Sequence, residues 1–195
     1  MKDIIVFQIY EDGKYEDGKT QDQEMMFIVD RMLGRLTTWL RLLGYDTFSA
    51  SDFILDDKED DFLLKFAGQK RILITRDKTL RIRAERSGVR VCLINFDHIM
   101  EQLGEMVSHY DIDLEPKMTR CTLCNALIRK VRANELCMLK REDYVPDELI
   151  EEGVDFWICD SCGKVYWKGS HWENIHKRLE KLHEKISSDL YLTQS

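Results

Sequence analysis

Apolar positions along the chain switch between two periods. Met26, Phe27, Ile28 and Val29 form an uninterrupted run, too short for a buried helix and suited to a strand covered on both faces. From Arg31 onward the apolar positions are Met32, Leu33, Leu36, Leu40 and Leu43. That three-to-four spacing predicts an amphipathic helix, and Gly44 stands where a helix C-cap is expected. Asp30 sits at the junction.

The same switch recurs. Tyr45 to Phe48 predicts a second short strand, and an acidic loop with Asp52, Asp56 and Asp57 leads to a helix carrying Phe62, Leu63, Phe66 and Ala67. Asp57 is its expected N-cap. Arg71 to Thr75 (RILIT) predicts a third strand, followed by Arg76, Asp77 and a basic helix through Arg86. Val89 to Ile94 predicts a fourth, followed by Asn95, Phe96, Asp97 and a helix towards His109. Alternating strands and helices predict an α/β fold, with a parallel sheet covered by helices on both faces. Ahead of this unit, the strand-like IIVFQIY and the pairs Asp12-Gly13 and Asp17-Gly18 read as an added edge hairpin or a loosely held extension.

In such sheets ligands bind beyond the carboxyl ends of the strands. Asp30, Asp77 and Asp97 each follow a predicted strand, and Asp60 begins a helix that can reach the same edge. Each also occupies a place where a helix wants a cap, and Ser, Thr, Asn or Gly would cap about as well. Clustered carboxylates repel unless a cation joins them, so such a site would hold Mg²⁺ or Mn²⁺ through oxygen ligands and water. Metal-dependent cleavage of a phosphodiester fits that chemistry. An aspartyl phosphatase would carry a second Asp two positions after the first, where this chain has Met32. A phospho-acceptor receiver domain, which also uses acids at strand ends, stays open. No Gly-rich phosphate loop follows any strand.

Composition adds bounds. With 195 residues, 44% of them hydrophobic, the chain has enough for one core and a small satellite. No apolar run approaches the roughly 20 residues that span a bilayer, and the start MKDIIVFQIYEDGK lacks a signal-peptide layout, so a cytoplasmic location with no membrane is expected. The net charge of −7 argues against one continuous basic surface, yet Lys70 to Arg90 holds eight basic residues against Asp77 and Glu85. Such a run is either a solvated face or a phosphate-contacting patch.

Cys121-Thr-Leu-Cys124 and Cys159-Asp-Ser-Cys162 are two knuckles separated by 34 residues. Four thiolates so paired suit a tetrahedral structural Zn²⁺ with no open position, and the long separation implies an inserted hairpin or loop. Cys92 reads as a buried hydrophobe and Cys137 as a bystander. Beyond the second knuckle, Val165-Tyr166-Trp167 reads as a ribbon strand. Ser170 and Glu173 form a capping-box signature, and Trp172, Ile175, Leu179, Leu182 and Ile186 continue a helical stripe that reads as a packing face. His171 and His176 read as surface residues.

Taken together, FIVDRMLGRLTTWLRLLGYDT, DDFLLKFAGQKRILITRD, RCTLCNALI and CGKVYWKGSHW resemble, in order, the PIN-like RNase domain family found at the C-terminus of Mut-seven-type exonucleases and as stand-alone prokaryotic proteins. The resemblance runs from about residue 26 to 176. It implies a PIN-like three-layer fold with a mainly parallel sheet, an appended zinc ribbon, and divalent-metal-dependent cleavage of RNA. By position it implies catalytic acids at Asp30, Asp60 and Asp77, with Asp97 in the more variable last place. Asp61 is an alternative to Asp60, and Asp46 is an outside candidate. Thr37-Thr38 stands where relatives often have Ala-Arg, leaving Arg31, Arg35 and Arg41 on that helix. Arg31, Arg35 and Arg76 are the expected phosphate contacts. The expected organisation is an extension over 1–24, a nuclease domain over 25–115, and a zinc ribbon with its terminal helix over 116–195. The competing reading is a non-catalytic RNA-binding adaptor in which the acids are caps and the ribbon does the work.

Overall fold

The computed structural model describes residues 25–54, 58–140 and 142–192, the last four by backbone alone. The expected N-terminal hairpin and the Asp57 cap lie outside the described residues. The first strand, β1 (Met26–Val29), is followed by a 3-10 turn at Arg31–Leu33 and then by α1 (Gly34–Leu42). The pattern continues as β2 (Asp46–Ser49), α2 (Glu59–Ala67), β3 (Ile72–Thr75), α3 (Lys78–Arg86), β4 (Val91–Leu93) and α4 (Ile99–His109). The strands form one parallel sheet in the order β2-β1-β3-β4.

Strand side chains alternate between faces, and this alternation builds three layers. Phe27, Val29, Ile72 and Ile74 meet Leu36 and Leu40 of α1 and Leu103 and Met106 of α4 on one face. Ile28 and Leu73 meet Leu63 and Ala67 of α2 and Leu80 and Ala84 of α3 on the other. Strands buried on both sides must be apolar at every position, which is why they read as unbroken runs. Each side chain so buried contributes about 1.5–3 kcal/mol.

A second sheet holds β5 (Arg129–Lys130) and, after two short helices α5 (Leu136–Leu139) and α6 (Asp147–Glu151), the antiparallel β6 (Phe156–Ile158) and β7 (Val165–Trp167). The segment between the knuckles thus joins the antiparallel β5 and β6 through a long loop that carries the two short helices. Its Leu139 and Val145 pack with Val131, Phe156 and Val165 into a small core of their own.

The ribbon covers the β2 edge of the first sheet. Thr47 of β2 donates its N–H to Asn125 Oδ1 (3.0 Å), and its carbonyl accepts from Arg41 Nε (2.8 Å). Arg41 Nη1 continues to the carbonyls of Thr122 (3.2 Å) and Leu123 (2.7 Å). An edge strand's free backbone groups are thus satisfied by the ribbon knuckle and an α1 side chain. The final helix, α7 (Ser170–Leu192), returns to the first core, with Leu179 and Leu182 buried there. Ser170 is its first residue and not its cap, since Gly169's carbonyl accepts from the N–H groups of Trp172 and Glu173. Gly104 lets α7 approach α4, because a Cβ there would stand 3.3 Å from Leu182 Cδ1. Among the described residues no helix is long and apolar enough to cross a membrane.

Candidate active site and metal centre

The chain leaves β1 for β2 on one side and comes back to β3 on the other. The crevice between the carboxyl ends of β1 and β3 is therefore the topological switch point, where open α/β sheets place their ligands. Asp30 follows β1, and its N–H donates to the Ile74 carbonyl of β3 (2.9 Å). Thr75, the fully buried last residue of β3, links the two acids. Its Oγ1 donates to Asp30 Oδ2 (2.7 Å) and accepts from the Asp77 N–H (3.0 Å). Asp77 caps α3 through Oδ1, which accepts from Thr79 N–H (2.6 Å) and Leu80 N–H (3.2 Å). Asp30 makes no side-chain capping bond to the turn it precedes. One oxygen of each carboxylate is held inside the protein, and Asp30 Oδ1 and Asp77 Oδ2 have no hydrogen-bond partner among the described residues.

The other predicted acids are tied to arginines. Asp97, exposed beyond β4, pairs with Arg76 Nη2 at 2.5 Å. Asp60 accepts from Arg83 Nη1 of α3 (2.8 Å), and Asp61 pairs with the same guanidinium. The α2 residue that turns towards the end of β1 is Glu59, which pairs with Arg31 Nη2 at 2.6 Å. Arg35 is exposed on α1 and forms no ion pair among the described residues. Asp30 and Asp77 are thus brought together around Thr75, Asp97 stands alongside through Arg76, and Asp60 is held towards α3. Among the described residues, no three carboxylate oxygens converge as four sulfurs do. Asp46 lies at the opposite end of the sheet, at the start of β2, paired with Arg71 (2.8 Å) and accepting from Asn125 Nδ2 (2.8 Å). Arg41, one of the three basic residues counted on that helix, is buried in the ribbon contact.

Two participants escaped the sequence reading. Thr75 was visible only as the one hydroxyl ending an apolar strand, and Glu59 as the first acid of the run Glu59-Asp60-Asp61.

The four knuckle cysteines converge within 4.8 Å, with Sγ pairs 3.5 Å (Cys121 and Cys162) and 3.4 Å (Cys124 and Cys159) apart. Both knuckles use the same turn. The residue after each second cysteine, Asn125 or Gly163, takes a positive φ (67° and 77°), and its N–H bonds the carbonyl of the first cysteine at 3.0 and 2.8 Å. Burial pushes the thiols of Cys124 and Cys162 up. At Cys121 burial is outweighed by hydrogen bonds from Tyr166 and backbone N–H groups, which bring it down to about 7. Four soft sulfur donors at this separation fit a tetrahedral metal ion. Cys92 lies apart in β4, its thiol pushed up to about 12 by burial and then by Glu105, and Cys137 is exposed outside the cluster.

The sequence profile of one protein family, described as the Mut7-C RNAse domain, matches residues 25–179. No curated protein and no solved structure matches the chain.

Proposed function

The chain belongs to the Mut7-C RNase domain family, and from that premise we propose that it is a divalent-metal-dependent ribonuclease, hydrolysing RNA phosphodiester bonds at the crevice of Asp30 and Asp77. The observation that carries this reading is the Thr75 bridge from the Asp30 carboxylate to the Asp77 backbone N–H, which together with the α3 cap on Asp77 Oδ1 holds two carboxylates at the switch point, each with one oxygen that has no partner among the described residues. Hard oxygen donors from one or two carboxylates, completed by water and substrate phosphate, fit Mg²⁺ or Mn²⁺. When bound, such an ion neutralises phosphate charge and makes an attacking water more acidic.

The chain's own groups then have distinct tasks. Thr75 holds Asp30 in one rotamer. Asp77 is held by the first N–H groups of α3, whose positive end also favours an anion nearby. Arg35, one helical turn after Arg31, meets phosphate oxygens. Arg76 exchanges Asp97 for phosphate and so frees that carboxylate, and Asp60 joins once Arg83 releases it. The four cysteines hold a structural Zn²⁺, in a cytoplasmic setting that keeps thiols reduced.

One observation favours a second reading. Asp60, Asp61 and Asp97 are all engaged by arginines, as expected of a non-catalytic RNA-binding adaptor that keeps its acids for structure. Incubating labelled single-stranded and structured RNA with Mn²⁺, Mg²⁺ or EDTA, beside an Asp77→Asn variant, separates the two. Cleavage that needs the metal and is lost in the variant supports the nuclease. Cleavage undiminished in EDTA or in the variant sinks the mechanism, and binding without cleavage in every condition favours the adaptor. Elemental analysis should return about one zinc per chain.

A further inference from the structure

Between α4 and α7 runs a groove of about 800 Å³. Its floor is apolar, made by Met100, Leu182 and Ile186, with the Phe96 ring 47% exposed at one end. Its two walls carry opposite charge. On α7, Arg178, Lys181 and Lys185 follow one another at three- and four-residue spacing, so that about one cation per turn faces the groove. Arg178 lies over the Trp39 ring (5.4 Å to its centre), and neither exposed lysine has a carboxylate partner among the described residues. On α4 stand Glu101 and Glu105, the latter already accepting from the Asn95 backbone N–H (2.9 Å) and Nδ2 (2.6 Å). The Phe96 end adjoins Asp97, which pairs with Arg76 beside Asp77. The groove therefore opens on the acid edge.

We propose that this groove is the track of a single-stranded RNA leading to that edge, with the phosphates along the α7 cations and a base face on Phe96. The unpartnered cations complement a polyanion, and the acidic α4 wall turns its backbone towards α7. An apolar floor with an exposed ring is matched by unpaired base faces, which a duplex keeps stacked inside. The direction of the track rests on the ribonuclease reading; binding in the groove does not.

The test is therefore a binding measurement on an Asp77→Asn background with no added Mg²⁺ or Mn²⁺ and no chelator, so that cleavage is suppressed while the zinc proposed for the four cysteines is kept. Fluorescence anisotropy with a labelled single-stranded oligouridine is compared for the full chain, a Lys181→Glu/Lys185→Glu variant and a Phe96→Ala variant. All three positions are exposed or half-exposed, and circular dichroism checks that each variant folds. The charge reversal should weaken binding at least about tenfold, and should flatten the slope of log affinity against log salt by about 1.4, the loss of two phosphate contacts on a single strand. Phe96→Ala should weaken single-strand binding by about fivefold to tenfold and leave duplex binding unchanged. Wild-type affinity and salt slope in the charge-reversal variant would overturn the proposal and leave the groove to a protein partner. Equal losses for duplex and single strand in Phe96→Ala would overturn the stacking. A chain that binds as expected yet, with Asp77 in place, cleaves nothing with Mn²⁺ or Mg²⁺ would refute the nuclease and keep the groove.

Discussion

Arginine meets aspartate around β2 and again at the ends of β1, β3 and β4, and these two meetings differ in kind. The β2 side holds Arg41 and Arg71, with side chains 3% and 8% exposed. Arg41 bonds three backbone carbonyls and Asp52, while Arg71 bonds two carbonyls and both oxygens of Asp46. At the strand ends, Arg76 is 34% exposed and its partner Asp97 79%, and Arg83 is 39% exposed. Removing a charge from water is offset only when every donor finds a partner, so the β2 pairs are rigid and expensive to disturb. Exposed pairs are worth about 0–1 kcal/mol and exchange partners readily. The same two residue types build a frame on one side and a set of movable acids on the other.

The sharpest way to break this distinction is Arg71→Ala. It leaves the partly buried Asp46 carboxylate with only Asn125 Nδ2 (2.8 Å) and the more distant Arg120 (3.8 Å), and it removes a guanidinium that lies over the rings of Phe48 (4.8 Å) and Phe66 (5.6 Å). A loss of about 3–5 kcal/mol is expected in urea unfolding. Arg41→Lys should also destabilise, because one ammonium cannot reproduce a planar fork that serves the Thr47, Thr122 and Leu123 carbonyls at once. A change below about 1 kcal/mol at Arg71 would remove the basis for calling this side a frame.

At the strand ends the balance reverses. Asp77→Asn keeps a good helix cap, so stability should move by no more than about 0.5 kcal/mol. Metal-dependent RNA cleavage should fall on the order of a hundredfold, the scale of losing one charged group that acts on the transition state. Unfolding and cleavage measured on one preparation decide the matter. A large stability loss would assign Asp77 to the frame.

The acid on the frame side of this comparison is Asp46, which the sequence left as an outside candidate for catalysis. Burial raises its carboxyl, but the Arg71 hydrogen bonds and charge, with Asn125 and Arg120, outweigh that and hold it below the ordinary carboxylate value. A depressed folded-state pKa contributes stability that is fully present above the unfolded value and is lost as pH falls through the folded one. Asp46→Asn should therefore cost about 1–3 kcal/mol at neutral pH and flatten the decline in stability below about pH 4. An acid limb as steep as that of the parent chain would show that the pairing with Arg71 contributes little.

What the sequence revealed follows the same division. The α/β alternation was legible because strands buried on both faces leave unbroken runs such as Phe27-Ile28-Val29 and Ile72-Leu73-Ile74, and helices covering one face leave a stripe. Asp30 and Asp77 were legible as acids directly after strands. The frame was not, since Arg41 meets Thr122 and Leu123 across some eighty positions, and no local pattern records a contact of that range. Along the predicted helix it was only the third of three arginines, with Arg31 and Arg35. The helices between the knuckles escaped as well, because four- and five-residue helices are too short to display a period. Glu59 and Asp60 differ by one position, about 100° around a helix, and composition alone does not say which of them faces β1.

The smallest expected effect bears most directly on that last point. Arg83 holds Asp60 and Asp61 from α3, and all three side chains are more than a third exposed, so Arg83→Ala should change stability by less than about 1 kcal/mol. If Asp60 belongs with Asp30 and Asp77, releasing it adds a third carboxylate to the crevice, and more carboxylates raise the affinity of a hard-cation site. The Mn²⁺ concentration for half-maximal cleavage should then fall in Arg83→Ala, and the fall should vanish in Arg83→Ala/Asp60→Asn. An unchanged metal requirement in the single variant would place Asp60 with the frame, leaving the crevice to Asp30, Asp77 and the acid that Arg76 holds.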